Sequence, residues 1–351
     1  MANLLAGNVA PGWRVWAISP IEGDASVRKY YRIHLEPHDD VPRTVVLMQM
    51  NNVGRPLGSE EATEGNGPGE DPFCSMDRHL LVAGVRVPVI YFRADEVGYL
   101  LIEDFGDTSL YAATAKGFTP DVLAAYETAV REMARYHTKG SDRSIGDCTG
   151  FHQQFSPKLF LWEFDHYLEY GIEVRLGIKL SAADRKALAD VFEPIVTRLF
   201  AEPQVLTHRD YHSKNLMVLE GGGIGVIDFQ DSLMGPDVYD LASLLRDAYV
   251  TVPENVVARL VDVYAEARAT ADRHYRLDHR KFSRLFVDQA IQRNMKALGR
   301  FVYIDRVKKN PAYLPFIPRL QGFLKRNLVS HSDYAPAWEV LSRLDPELSG
   351  A

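Results

Sequence analysis

The chain has 351 residues, of which 46% are hydrophobic and 25% are charged, and its formal net charge is −7. This composition is ordinary for a globular protein with a sizeable core, and the acidic excess lacks the basic footprint of a nucleic-acid-binding protein. No apolar run reaches the ~20 residues needed to span a membrane, so we expect neither nucleic-acid nor membrane partners.

The N-terminal residues and the cysteines indicate the compartment. Residues 1–13 contain no basic region and only a short apolar piece, so no secretory signal is predicted. Cys74 and Cys148 have no metal-ligand spacing, and two cysteines in a chain of this length favour a reducing environment over a disulfide framework. We therefore expect a cytoplasmic protein, and we expect it to be a monomer.

A strand, a loop and a second strand open the fold. Alternating apolar and aromatic residues at 13–18 and 30–35 predict the strands, and small residues at 22–26 predict the loop. Such a loop can bind phosphate through its backbone N–H groups, although one glycine makes this signal weak and a plain hairpin is the alternative. The polar side chains that we assign to nucleotide binding here are Ser26, Arg28 and Arg32, with Lys29 as a further cation.

A third strand and a long polar segment follow. Residues 43–50 predict the strand, and it contains no lysine. Residues 51–72 are rich in Gly, Glu, Asn and Pro, which cannot bury much surface, so we expect a mobile surface loop. A lid over the nucleotide is the less favoured alternative.

The next segment predicts a helix at 72–83 and strands at 85–92 and 99–102. An acidic connection, Glu103 to Asp107, then precedes a helical region. We interpret it as a hinge whose backbone binds the adenine edge, and we assign Glu103 and Phe105 to nucleotide binding. A surface turn is the alternative, and the hinge interpretation depends on the motif that comes later.

Helices are predicted at 119–137, 157–170 and 181–200, with Thr119 and Ser181 as N-caps. The helix at 157–170 is unusually aromatic. Aromatic residues at helical spacing usually form a core, and we favour that interpretation. The alternative is a face for a sugar ring, with Glu163 or Asp165 binding hydroxyl groups.

The strongest motif lies at 205–230. His208-Arg209-Asp210 is followed after four residues by Asn215, and two apolar runs around Gly221-Gly222-Gly223 predict a hairpin that leads to Asp228. This is the layout of a phosphoryl-transfer site: Asp210 accepts or orients the proton of a hydroxyl group, and Asn215 and Asp228 hold Mg²⁺ on the phosphates of ATP. If these residues were only turn formers, the full set at this spacing would be a coincidence.

The residues after Asp228 indicate the acceptor. About ten residues lead to a helix at 239–247, without the A-P-E signature that follows the activation loop of protein kinases. A peptide substrate lacks its platform, so a small hydroxylated molecule is favoured. In that helix Asp240 is expected to support the catalytic segment from behind.

Further helices are predicted at 256–270, 281–303 and 320–328. In the second of these, Gln292 and Arg293 lie about one turn from Asp288 and would suit a sugar if this helix lines the cleft. A solvated face is the alternative. The complete set of substrate candidates is His212, Gln230, Asp231, Gln292 and Arg293.

Four stretches together resemble a known family. They are GDASVRKYYR (23–32), HRDYHSKNLM (208–217), VIDFQDSLMGPDVYDLASLLRD (226–247) and QAIQRNMKALGRF (289–301). The second and third resemble the aminoglycoside phosphotransferase and choline kinase-like superfamily. All four resemble, more narrowly, the bacterial cell-wall recycling kinases, which phosphorylate the anomeric hydroxyl of N-acetylmuramate and N-acetylglucosamine.

The resemblance implies an α+β, two-lobed protein-kinase-like fold, with a small β-rich N-terminal lobe and a large, mostly helical C-terminal lobe. We expect residues 1–105 to bind the nucleotide and residues 106–351 to carry the catalytic and sugar-binding groups. ATP and Mg²⁺ are the implied cofactors, and an amino sugar is the implied substrate. An aminoglycoside kinase is one alternative. A nucleotide-binding protein without catalysis is another, because Met48-Gln49-Met50 stands where protein kinases carry a phosphate-binding lysine.

Overall fold

The computed structural model describes residues 13–21, 28–38, 41–50, 70–94 and 98–350. The chain divides into two units, the first from the described residues of Met1–Ala62 and Val87–Asp107 and the second from those of Thr63–Arg86 and Thr108–Ala351. Ser26 and most of the predicted loop at 51–72 lie outside the described residues. Within the described ranges no helix is both long and apolar enough to cross a bilayer.

The first unit is built on an antiparallel sheet in the order β1-β2-β3-β5-β4. Its strands are β1 (Val15–Ile21), β2 (Lys29–Leu35), β3 (Thr44–Gln49), β4 (Ile90–Ala94) and β5 (Tyr99–Glu103). One face of the sheet packs a small core, which consists of Ile33, Leu35, Val45, Leu47 and Leu101. The strands predicted from alternation are thus confirmed, because side chains on one face of a strand recur at every second residue.

One strand begins later than predicted. The apolar run from Val85 predicts a strand over 85–92, but β4 starts only at Ile90. Pro88 interrupts the run, and a proline has no N–H group to donate to a neighbouring strand.

The second unit is mostly helical, as predicted. Its α-helices are α1 (Pro72–Val82), α2 (Leu110–Ala113), α3 (Pro120–Thr138), α4 (Pro157–His166), α5 (Ala182–Phe200), α6 (Val238–Leu245), α7 (Glu254–Ala271), α8 (His279–Arg306), α9 (Ile317–Leu328), α10 (Ala335–Leu344) and α11 (Pro346–Gly350). The predicted N-caps are in place: the Thr119 hydroxyl accepts from Val122 N, and the Ser181 hydroxyl accepts from Asp184 N. The last two helices, α10 and α11, were not predicted.

The aromatic helix is shorter than predicted, since α4 ends at His166 and continues as a π-helix, Tyr167–Val174. This π-helix packs closely on α8, where a Cβ atom on Gly299 would lie only 2.9 Å from Tyr167 Cα. The side chains of Phe160 and Phe164 are at most 1% exposed. The aromatic residues therefore belong mainly to the core, as we favoured over a sugar-binding face.

Candidate active site

Two short strand pairs hold the central motif. β6 (Gln204–Thr207) pairs with β9 (Leu233–Pro236), and β7 (Leu216–Val218) forms the predicted hairpin with β8 (Ile224–Val226). We call His208–Asn215, which connects β6 to β7, the catalytic loop. The pairing of β6 with β9 was not predicted, because four-residue strands carry too little alternation to be recognised.

Local geometry explains the hairpin and marks two unusual residues. Gly221 and Gly222 at its tip have φ angles of 86° and 91°, a conformation that glycine adopts without steric cost. Arg209 and Asp228 also have positive φ angles, 72° and 66°. Side chains with a Cβ atom rarely adopt this region, and such residues are concentrated at functional sites because the surrounding structure must hold them there.

The Asn215 amide brings the three central candidates together. Its Nδ2 atom donates to the backbone oxygen of Asp210 at 3.0 Å and to Oδ2 of Asp228 at 3.3 Å. Asn215 and Asp228 are thirteen residues apart in the chain, and the β7–β8 hairpin is what returns one to the other. The side chains of Asn215 and Asp228 are therefore neighbours, and an amide oxygen and a carboxylate are both ligand types that a small hard cation accepts.

Two buried carboxylates support the catalytic loop from behind. Asp240 on α6 is fully buried, and it accepts from the backbone N–H groups of His208 at 2.8 Å and Arg209 at 3.0 Å. Asp247, just after α6, accepts from Ser213 N at 2.9 Å. The supporting role predicted for Asp240 is therefore confirmed. Asp247 was not singled out from the sequence, and its position seven residues after Asp240, two helical turns on, is the signal that could have found it.

A histidine on α3 completes this support. His137 is 1% exposed, and its Nε2 atom contacts Asp240 Oδ2 at 2.9 Å while its Nδ1 atom contacts the Tyr264 hydroxyl at 2.7 Å. His137 therefore has a structural role, because both of its ring nitrogens are engaged inside the protein.

Arg293 on α8 binds the proposed catalytic carboxylate. Its Nη2 atom donates to Asp210 Oδ1 at 2.7 Å, while 43% of the Asp210 side chain stays exposed. Desolvation by itself raises the pKa of the Asp210 carboxyl, but the surrounding positive charges, led by Arg293 and Lys296, outweigh it and hold that pKa well below its ordinary value. Asp210 is therefore an ionised, oriented acceptor of hydrogen bonds.

A buried ionic group lies next to this pair. Glu163 on α4 is fully buried, and it contacts Lys296 Nζ at 3.1 Å and Arg209 Nη2 at 3.8 Å. It also accepts from the Gln292 amide, whose oxygen accepts from Gln289 at 2.7 Å. Sequence reasoning missed Lys296, although it lies four residues after Gln292 and hence on the same helical face.

The acceptor candidates thus fall into two groups. Gln292 is fully buried, with its amide engaged by protein partners on both sides, whereas Gln230 and Asp231 lie at the exposed edge beside Asp228. Gln230 Nε2 donates to Asp228 Oδ1 at 2.9 Å. His212 is half-buried, its ring meets that of Tyr249 edge-on, and desolvation lowers its pKa.

The nucleotide candidates of the first unit are placed as follows. Arg32 forms a bidentate ion pair with Asp104, at 2.6 and 3.0 Å, and a further bond with Asp107 at 2.9 Å. Two carboxylates therefore offset its charge, which speaks against Arg32 as the replacement for the absent third-strand lysine. Glu103 ends β5, and its carboxylate accepts from Val89 N at 3.3 Å.

The remaining two nucleotide candidates are half-buried. Phe105 lies two residues after the end of β5, and Arg28 immediately precedes β2. Both lie in the first unit, apart from the catalytic loop in the sequence. Ser26 lies outside the described residues.

The donor set at Asn215 and Asp228 can be tested against particular metals. Within the described ranges no group of three or more His, Cys, Asp or Glu side chains could hold a metal ion. One amide oxygen and one carboxylate are too few for a structural zinc site. They do suit Mg²⁺, which binds one or two protein oxygens and completes its shell with phosphate and water.

The sequence is similar to those of known proteins. The model of the family described as "Phosphotransferase enzyme family" matches residues 17–276. An N-acetylmuramate/N-acetylglucosamine kinase from Neisseria meningitidis serogroup B is 30% identical over 268 residues, which cover 75% of this chain and 78% of that protein. The protein of the same name from Pseudomonas putida is 27% identical over 93% of this chain and 88% of its own length.

Two solved structures share the fold. The choline kinase LicA from Streptococcus pneumoniae superimposes with a TM-score of 0.56 at 15% identity, over 89% of this chain and 94% of that one. The ADP-bound aminoglycoside phosphotransferase APH(2'')-Ib has a TM-score of 0.57 at 12% identity, over 91% and 94% of the two chains. At such low identity these likenesses establish the kinase-like fold and nothing finer, and they confirm the predicted architecture.

Proposed function

We propose, from the premise that the chain belongs to the phosphotransferase enzyme family, that it is an ATP-dependent sugar kinase. Its acceptor in this proposal is the anomeric hydroxyl of N-acetylmuramate, N-acetylglucosamine or both. The identity to kinases named for these two sugars, which extends over most of the chain, supports the substrate class. A role in cell-wall recycling follows from the same likeness.

The observation that carries the proposal is the hydrogen bonding of the Asn215 amide to both Asp210 and Asp228. It connects the backbone of Asp210, whose carboxylate is partly exposed, to the carboxylate of Asp228. Phosphoryl transfer to a hydroxyl group needs such a carboxylate near the ligands of the metal. The buried carboxylates behind the loop fix its backbone, which residues that only formed a turn would not require.

Asp210 orients the acceptor hydroxyl in this mechanism. The anomeric oxygen forms a bond to the γ-phosphorus, the bond between that phosphorus and the oxygen of the departing ADP breaks, and the hydroxyl proton passes to Asp210 or to water. Because Arg293 holds the pKa of Asp210 low, the carboxylate is a weak base. It acts mainly by holding the hydroxyl in line, which suits a loose transition state in which proton transfer comes late.

Asn215 and Asp228 would hold Mg²⁺ through their side-chain oxygens. The ion would neutralise charge on the phosphates of bound ATP. Gln230 donates to Asp228 Oδ1 and so fixes the orientation of that carboxylate. We assign nucleotide binding to the first lobe, residues 1–105, with Ser26, Arg28, Glu103 and Phe105 as its contact residues.

A coupled assay of ADP release tests the proposal. The acceptors are N-acetylmuramate, N-acetylglucosamine, kanamycin and choline, and phosphorus NMR of the product identifies the phosphorylated oxygen. We expect turnover with the N-acetyl sugars. We also expect its loss in Asp210→Ala and Asp228→Ala, with the fold retained by circular dichroism. Asp190→Ala removes an exposed carboxylate on α5 and serves as the matched control.

Three outcomes would contradict the proposal. Turnover of kanamycin or choline alone would identify a different kinase. Nucleotide binding without turnover on any of the four acceptors would favour the non-catalytic alternative. Full activity in either active-site variant would remove the roles assigned to Asp210 and Asp228.

A further inference from the structure

The side chain of Lys214 ends inside a cage of aromatic rings. Its Nζ atom lies 4.5 Å from the ring centre of Tyr249, 5.4 Å from Tyr313, 5.6 Å from Phe316 and 5.8 Å from Tyr111. All four distances are within the range of cation–π attraction. Cages of this kind are the general means by which proteins recognise quaternary ammonium groups, and here a side chain of the protein supplies the cation.

The cage is rigid and comes from separate parts of the chain. Tyr249 and Tyr313 are 8% and 6% exposed, and the ring of Tyr249 packs edge-on against Phe316 at 4.8 Å between ring centres. The backbone N–H of Tyr249 donates to Asp247, the same carboxylate that holds the catalytic loop at Ser213. The cage is therefore attached to the catalytic loop.

The position of the cage ties it to the chemistry. Lys214 lies in the 3₁₀ turn Ser213–Asn215, directly before the proposed metal ligand Asn215. The cage is therefore connected to the proposed metal ligand through one 3₁₀ turn.

A cavity lies against the cage. It has a volume of about 370 Å³, and Tyr111 and Tyr249 form part of its wall as well as part of the cage. Among its described lining residues the one formal charge is that of Arg319, which donates to Thr251 Oγ1 at 2.9 Å and to the Ala248 carbonyl at 2.8 Å. With an arginine in its wall and Lys214 behind two of its rings, the cavity disfavours a cation and accepts a neutral or anionic molecule.

We propose that Lys214 is a specificity-determining residue: its ammonium group closes the aromatic cage and thereby excludes acceptor alcohols that carry a quaternary ammonium group. The role of Lys214 in acceptor specificity rests on the proposed function, since it explains why a neutral or acidic sugar is the acceptor. The binding property of the cage does not rest on it. Removal of the ammonium group leaves an empty cage that binds a small organic cation.

Binding of tetramethylammonium chloride tests the cage without any turnover. Calorimetric titration compares the wild type with Lys214→Ala, with Lys214→Arg, which keeps a cation in the cage, and with Lys186→Ala, which removes an exposed lysine of α5. We expect Lys214→Ala to bind the cation at least tenfold more tightly than the other three. tert-Butanol, a neutral molecule of the same shape, should gain less than twofold, because the rings attract charge.

A second measurement uses the unaltered chain. In a proton–carbon-13 correlation NMR spectrum, the ring currents of the four rings should shift the ε-CH₂ protons of a caged lysine strongly upfield. The signal of Lys214 is assigned by its disappearance in Lys214→Arg. An ordinary lysine shift for Lys214 would overturn the inference even if Lys214→Ala did not fold. Equal tetramethylammonium affinity in Lys214→Ala and the wild type, or an equal gain for tert-butanol, would also overturn it.

The experiments distinguish a failure of the proposed function from a failure of the role proposed for Lys214. If the sugar assay fails but Lys214→Ala gains cation affinity, the cage stands and the proposed acceptor is wrong. If the wild type phosphorylates the sugars but the cage binds no cation when vacated, Lys214 does not determine specificity.

Discussion

Replacement of Arg293 by methionine is the most informative change at the candidate site. Methionine keeps the buried apolar stem of the Arg293 side chain and removes the guanidinium group, which donates to Asp210 Oδ1 at 2.7 Å. A hydrogen bond between charged groups contributes about 1.5–3 kcal/mol. If that energy holds Asp210 in its reactive orientation, its loss lowers kcat by about 10- to 150-fold, since 1.36 kcal/mol is tenfold in rate.

The same variant changes the pH dependence in a defined direction. In the wild type the pKa of Asp210 lies well below its ordinary value of about 3.9, so this carboxylate stays ionised throughout the working range. Loss of one adjacent positive charge raises a carboxyl pKa by about 1–3 units, while desolvation continues to raise it. The fall in kcat/KM on the acid side should therefore move to higher pH in Arg293→Met. A carbon-13 NMR titration of the Asp210 carboxyl group into the acid range would show this shift directly.

Two related variants sharpen the comparison. Arg293→Lys retains the charge but not the planar fork, so it should restore most of the pH profile and less of kcat. Ser243→Ala removes a second hydrogen-bond partner of Arg293, a hydroxyl 3.0 Å from its Nε atom. It should lower kcat less than Arg293→Met does, because the guanidinium group keeps its hydrogen bond to Asp210. If Arg293→Met kept kcat within about twofold and its acid limb did not move, the positioning role of Arg293 would be refuted.

Three other substitutions test the support of the site and the fold. Asp240→Asn replaces a carboxylate that accepts from two backbone N–H groups. Because hydrogen bonds to a charged group contribute about 1.5–3 kcal/mol each, kcat in steady-state kinetics should fall at least about tenfold. An unchanged kcat would contradict this role of Asp240. Burial raises the pKa of Asp77 to about 7, so the wild type should lose stability as pH rises from about 4 to 7. Asp77→Asn should avoid that loss and be up to about 4 kcal/mol more stable at pH 8 but not at pH 4 in urea unfolding; equal curves at pH 8 would exclude the effect. Gly299→Ala forces a Cβ atom against the backbone of Tyr167 and should cost about 1–3 kcal/mol of thermal stability, whereas Gly322→Ala has open space and serves as the control.

Several features of this protein could be predicted because they depend on residues close together in the sequence. The spacing of Asp210, Asn215 and Asp228 was enough to select them as candidate site residues. A short loop followed by a hairpin with glycines at its tip brings the three close together. The helix caps at Thr119 and Ser181 were predictable for the same reason, since a capping oxygen bonds an N–H group only three residues away.

Other features depend on residues that only the packing of the chain brings together. Arg293 contacts Asp210 across 83 residues of sequence, so a cation predicted to bind substrate instead bonds the proposed catalytic carboxylate. Arg32 contacts Asp104 across 72 residues, so a cation predicted to bind phosphate is instead paired with a carboxylate. The cage around Lys214 likewise draws on separate parts of the chain. No local pattern encodes such contacts, because they result from how the helices and strands pack against one another in three dimensions.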